Sequence, residues 1–147
     1  MPIDLEPPLS KEDDIIFVVE SDEVIRSALH FILDDQNETH SFVNLDLACA
    51  KVADVAPNLV LLGIGILQSN GEYALAEIAM RVPAAKILIV ANSVNDPLAL
   101  TGLEWGAHGV LGKPITFDSV CRQVDALLGR PKVSPAMLGL LPLSTAW

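Results

Sequence analysis

Few side chains in this sequence are spaced for chemistry. Gly63-Ile64-Gly65 supplies the first two glycines of a dinucleotide-binding loop, where small residues let the backbone approach a pyrophosphate. Gln68 fills the third glycine position, and no helical pattern starts promptly there. The sequence has no Gly-Lys-Ser/Thr phosphate loop and no convincing Ser/His/Asp arrangement. Cys49 and Cys121 are too few for a disulfide framework and lack metal-ligand spacing. His30, His40 and His108 are scattered, without the pairing that would put two rings on one helix face. What remains is a set of residues where apolar runs end: Glu20-Ser21-Asp22, Gly63, Ala91-Asn92 and Lys113.

Those residues need elements to position them. Ile15-Ile16-Phe17-Val18-Val19 is a β-branched run without polar alternation, as expected of a strand buried on both faces. After it, Val24, Ile25, Ala28, Leu29, Ile32 and Leu33 recur at three- and four-residue steps and predict an amphipathic helix, capped by Ser21 or Asp22. A polar outer strand over 39–43 and a helix over 45–55 follow, then a buried strand over 58–62 running into Gly63. The pattern continues with a helix over 72–81, a strand over 86–91 and a helix from Pro97 to near Gly106. It closes with a short strand over 109–111 and a last helix over 118–128. Five strands alternating with five helices predict a doubly wound α/β domain with a parallel sheet. Ligands of such sheets bind at the carboxyl ends of the strands, which is where the polar residues above fall.

Bulk properties narrow the function classes. The net charge is −10, with 19 acids against 9 bases, a balance that repels a phosphate backbone and argues against nucleic-acid binding. Apolar residues make up 51% of the chain but fall in blocks far shorter than a membrane span, and no secretory signal opens the sequence. The reading is a soluble, cytoplasmic protein with no membrane partner. Residues 1–13 read as a flexible leader, 14–129 as one domain, and 130–147 as a Pro/Leu-rich apolar tail.

Three segments, in order, resemble the receiver domains of bacterial two-component response regulators. They are Phe17-Val18-Val19-Glu20-Ser21-Asp22-Glu23-Val24-Ile25-Arg26, Pro57-Asn58-Leu59-Val60-Leu61-Leu62, and Gly106-Ala107-His108-Gly109-Val110-Leu111-Gly112-Lys113-Pro114. The resemblance implies a flavodoxin-like (βα)5 fold with strand order 2-1-3-4-5 and a cis bond before Pro114. It also implies an active site. A carboxylate ending the third strand accepts a phosphoryl group from a histidine, acids ending the first strand help hold Mg²⁺, and a hydroxyl residue and a lysine contact the phosphoryl oxygens.

By that resemblance Gly63 stands at the phosphoacceptor position and offers no nucleophile. Glu20 takes the first acidic position, Ser21 replaces the second, and Asp22 lies one place on; at most weak Mg²⁺ binding is expected at Glu20 and Asp22, with no other cofactor. Ala91 replaces the hydroxyl residue, Val110 the switch aromatic, and Lys113 remains. The expectation is a phosphorylation-independent interaction module in two-component signalling, not an enzyme. Its partners would be a histidine kinase, an output protein or a second copy. Contacts are expected on the face built from the helix after Pro97, the last strand and the last helix, at Leu98, Leu103, Trp105, Val110 and Phe117. The alternative is a small-molecule or nucleotide binder on the same sheet. A third reading is an unconventional receiver switched by a small molecule or another modified residue; Ser21, Ser69 and Ser93 fall near the right edge of the sheet, but a serine hydroxyl is a poor substitute for an aspartyl nucleophile without an activating base.

Overall fold

The computed structural model describes residues 14–130, so the leader and residues 131–147 lie outside the described part. Strands and helices alternate as β1 (Ile15–Val19), α1 (Glu23–Asp34), β2 (Glu38–Phe42), α2 (Leu45–Val52), β3 (Leu59–Gly63), α3 (Ile64–Asn70), α4 (Glu72–Arg81), β4 (Lys86–Val90), α5 (Pro97–Glu104), β5 (Gly109–Leu111) and α6 (Phe117–Leu128). All pairings are parallel, and the strand order is β2-β1-β3-β4-β5. This is the flavodoxin-like arrangement expected.

Successive side chains of a strand point to opposite faces, so a strand covered on both sides must be apolar throughout. In β1, Phe17 and Val19 join one core with Val60, Leu62, Ile87 and Ile89, under α2, α3, α4 and α5. Ile16 and Val18 join the other with Leu59, Leu61, Leu88 and Val90, under Leu29 and Leu33 of α1 and Val120 and Val124 of α6. Removing each such side chain from water contributes about 1.5–3 kcal/mol. β2 is an edge strand, which accounts for its polar sequence.

Two expectations about helices need correction. A helix absent from the sequence reading, α3, begins immediately after β3 and is separated from α4 by Gly71, whose φ of 64° suits glycine. The expected inward stripe of α1 is also narrower: Leu29 and Leu33 are buried, whereas Val24 is 78% exposed and Ala28 also faces water. Arg130, the first residue of the expected tail, bonds through its guanidinium to Asp125, Asn37 and Asp14.

Candidate functional site

The chain leaves β1 toward β2 and leaves β3 toward β4, on opposite sides, so a crevice opens between the carboxyl ends of β1 and β3. Glu20 directly follows β1, and Gly63 closes β3. These two residues meet there. A β-carbon on Gly63 would lie 2.7 Å from Glu20 Cδ and 2.9 Å from its Oε2, and closer still to Oε1. The Glu20 carboxylate therefore sits in the space that a side chain at position 63 would enter.

Several contacts hold it. Glu20 is 5% exposed, its Oε2 accepts a hydrogen bond from the Asp22 backbone N–H at 3.0 Å, and its carbonyl accepts one from Arg26 Nη1 at 2.8 Å. Burial pushes the Glu20 carboxyl above its ordinary value; the Asp22 N–H works against that rise, the Asp22 charge adds to it, and Lys113 and Arg26 oppose it. Asp22 is exposed, and its carboxylate caps α1 by accepting from the Ile25 N–H at 3.0 Å. Its backbone thus serves Glu20 while its side chain serves the helix. Among the described residues no group of three or more His, Cys, Asp or Glu side chains gathers as a metal site.

The other strand ends complete the rim. Ala91 is buried, and its N–H donates to the Leu111 carbonyl at 2.9 Å. Ser93 Oγ accepts from the Asn95 N–H within its own loop. Lys113 is exposed and is followed by a cis bond to Pro114. Gly112 lets the loop after β4 press close, since a β-carbon there would lie 2.9 Å from the Val94 nitrogen. The third position of the glycine loop is Gln68 in α3, which begins at Ile64, so a helix does start promptly after Gly63, contrary to expectation.

The five residues expected to form a contact face divide. Val110 is 9% exposed and belongs to the core, and Leu98 and Trp105 are half-buried against it; Leu103 and Phe117 are exposed. Sequence reasoning missed Phe31, which at 80% is the most exposed large apolar side chain among the described residues. With Phe117, Arg26, His30, Asp34 and Ser41 it lines a groove of ≈ 620 Å³ along α1, in which His30 Nδ1 and Ser41 Oγ lie 2.6 Å apart. The signal that could have found it was Phe31 lying off the Leu29–Leu33 stripe.

Comparison with known proteins agrees with this architecture. The response regulator receiver domain model matches residues 16–125. Transcriptional regulatory protein LnrK of Bacillus subtilis (strain 168) is 26% identical over 126 residues, which cover 84% of this chain and 57% of LnrK. Chemotaxis protein CheY of Listeria monocytogenes serovar 1/2a is 27% identical over 78 residues, 53% of this chain and 66% of CheY. The chain thus spans a little over half to about two thirds of these curated relatives. Among solved structures, the receiver domain of NtrX from Brucella abortus superposes with a TM-score of 0.69 at 29% identity, covering 80% of this chain and 100% of that one. With its five parallel strands in receiver order and a family match over most of its length, the chain belongs to the response regulator receiver domain family.

Proposed function

We infer that the chain is a receiver-type interaction module whose surface does not depend on phosphorylation. The observation that carries this reading is Gly63 at the end of β3 with the Glu20 carboxylate over it. A phosphoryl group needs a nucleophile there, and glycine supplies none. The hydroxyl and second acid are replaced as well, by Ala91 and Ser21, so neither Mg²⁺ nor phosphoryl oxygens meet their usual partners. The domain then acts by contact, not catalysis, on a signalling protein such as a histidine kinase or an output protein. Leu103 and Phe117 are the exposed members of the expected face.

The test is an amide NMR titration with Mg²⁺ and beryllofluoride, which mimics the phosphoryl group on aspartate. The wild type is expected to stay silent. The positive control needs Glu20→Asp and Ser21→Asp together with Gly63→Asp, because Glu20 obstructs aspartate at 63. Saturable shifts of Glu20, Asp22 and Lys113 in the wild type would refute the reading.

A further inference from the structure

α1 carries two apolar stripes. Leu29 and Leu33 face the sheet, whereas Val24, Ala28 and Phe31, at i, i+4 and i+7, face water and belong to neither core. The groove along α1 has Phe31 and Phe117 as apolar walls, and Asp34 and Asp35 line it where the helix ends. The chain leaves the described region at that same end. α6 stops at Gly129, whose left-handed φ of 70° turns the backbone, and the Arg130 N–H donates to the Asp125 carbonyl at 2.9 Å. The Arg130 guanidinium donates to Asn37 Oδ1 at 2.7 Å, and Asn37 Nδ2 donates at 2.8 Å to the carbonyl of Leu33, in the last turn of α1. This relay fixes the starting point of residue 131 beside the acidic end of the groove.

Residues 131–147 complement the groove in charge, composition and reach. All 19 acids of the chain lie before them; their one base is Lys132, and Met137, Leu138, Leu140, Leu141 and Leu143 form an apolar run. Met137 lies seven residues beyond Arg130. At ~3.3 Å per extended residue that stretch spans up to ~23 Å, more than the ~18 Å of the 12-residue α1, so the run can lie anywhere along the helix. We propose that residues 131–147 dock in the α1 groove of their own domain, Lys132 against Asp34 and Asp35 and the leucine run against Phe31 and Phe117. Tethering supplies an effective concentration of the order of millimolar, so even weak contacts keep the groove filled. The inference goes beyond the proposed function and is independent of it, since it concerns α1 and not the crevice at Gly63. It makes the α1 face a self-capped surface, open to a partner only when the segment is displaced.

The experiment is NMR of the full chain with labelled leucine methyls and phenylalanine rings. Nuclear Overhauser contacts are expected between the methyls of residues 138–143 and the Phe31 ring, unchanged on dilution. Phe31→Ser should release the leucine run, and Leu140→Ser with Leu141→Ser should move the amides of Ser27, Phe31 and Asp34 while leaving Leu100 and Leu103 in place. Lys132→Glu should lower the ratio of docked to free segment about two- to fivefold, the range of an exposed ion pair. The substituted side chains are either exposed or outside the described domain, so the variants keep both cores intact. Absence of these contacts, contacts to Leu100 or Leu103 instead, or amide shifts of α1 that ignore the double leucine variant would each overturn the proposal. So would contacts that appear only between chains in a mixture of labelled and unlabelled protein, which would make a second copy the occupant. A beryllofluoride response of the wild type would leave the docked segment untouched, so the two readings fail separately.

Discussion

Replacing Gly63 by aspartate probes the crevice directly, and the structure predicts that it destabilises the fold. The backbone is not the obstacle: φ −66° and ψ 148° at Gly63 suit any residue. The obstacle is Glu20, whose Cδ would lie 2.7 Å from the new β-carbon. Over-packing of this kind costs about 1–3 kcal/mol. The second carboxyl adds to that. Two carboxylates in one small site cannot both ionise freely, and a shift of one to two pKa units in either amounts to about 1.4–2.7 kcal/mol at neutral pH. Replacing glycine stiffens the unfolded chain and returns about 0.4–1 kcal/mol. The net loss is about 1.5–5 kcal/mol, a substantial part of the ~5–15 kcal/mol that holds a domain together. Urea denaturation of the wild type, Gly63→Asp, Glu20→Asp and the double variant forms a thermodynamic cycle. Retracting the carboxylate by one methylene should recover at least about 1 kcal/mol of the loss, and lowering the pH should shrink the penalty as one carboxyl takes a proton. If Gly63→Asp is as stable as the wild type, or its cost is the same in the Glu20→Asp background, the account of the crevice is wrong.

Other predictions are narrower. Because the folded-state pKa of Glu20 is raised, the native protein holds its proton more tightly than the unfolded chain, so its contribution is fully present below about pH 4.5 and is lost as pH rises through the folded value; Glu20→Gln should remove that component from a stability–pH curve. His108 acts in the opposite sense. Burial and then Lys86 lower its pKa, and its Nδ1 accepts from the Ile87 N–H at 3.0 Å, so its contribution is present above the ordinary histidine value and fades as pH falls through the lowered one. His108→Ala should cost about 0.5–1.5 kcal/mol at pH 7 through loss of that acceptor, measured by urea denaturation. Asp22→Ala should lose about 1 kcal/mol with the cap of α1, while Asp22→Asn keeps most of it. Phe31→Ser, at an 80% exposed position, should change the stability of the Leu140→Ser/Leu141→Ser chain, whose tail is undocked, by no more than about 0.5 kcal/mol; a larger loss would mean the domain itself covers the side chain.

The strands were legible because a doubly covered strand has no alternative composition: Ile15–Val19, Leu59–Leu62 and Ile87–Val90 stand out as apolar runs. The order of the strands came from resemblance, since periodicity says nothing about neighbours. α3 escaped because its sequence, Ile-Gly-Ile-Leu-Gln-Ser-Asn, contains glycine near its start and is too short for two turns of apolar repeat. The mistaken stripe of α1 has a related cause. A three- and four-residue pattern marks an apolar side but not its width, and Val24 sits past the edge of what α6 and the sheet cover. At the candidate site, the sequence showed that Gly63 lacks a side chain and that Glu20 is longer than the usual aspartate. It could not show that the second fact fills the space left by the first, because that depends on β1 and β3 lying side by side with Val19 opposite Leu62.

The contact between Glu20 and Gly63 couples the two positions. An aspartate at 63 collides with the long side chain at 20, and an aspartate at 20 leaves a hole above a glycine. Either single substitution is disfavoured, and only the pair together escapes the penalty. The two positions therefore behave as one unit, tolerant of change only when both side chains change in concert.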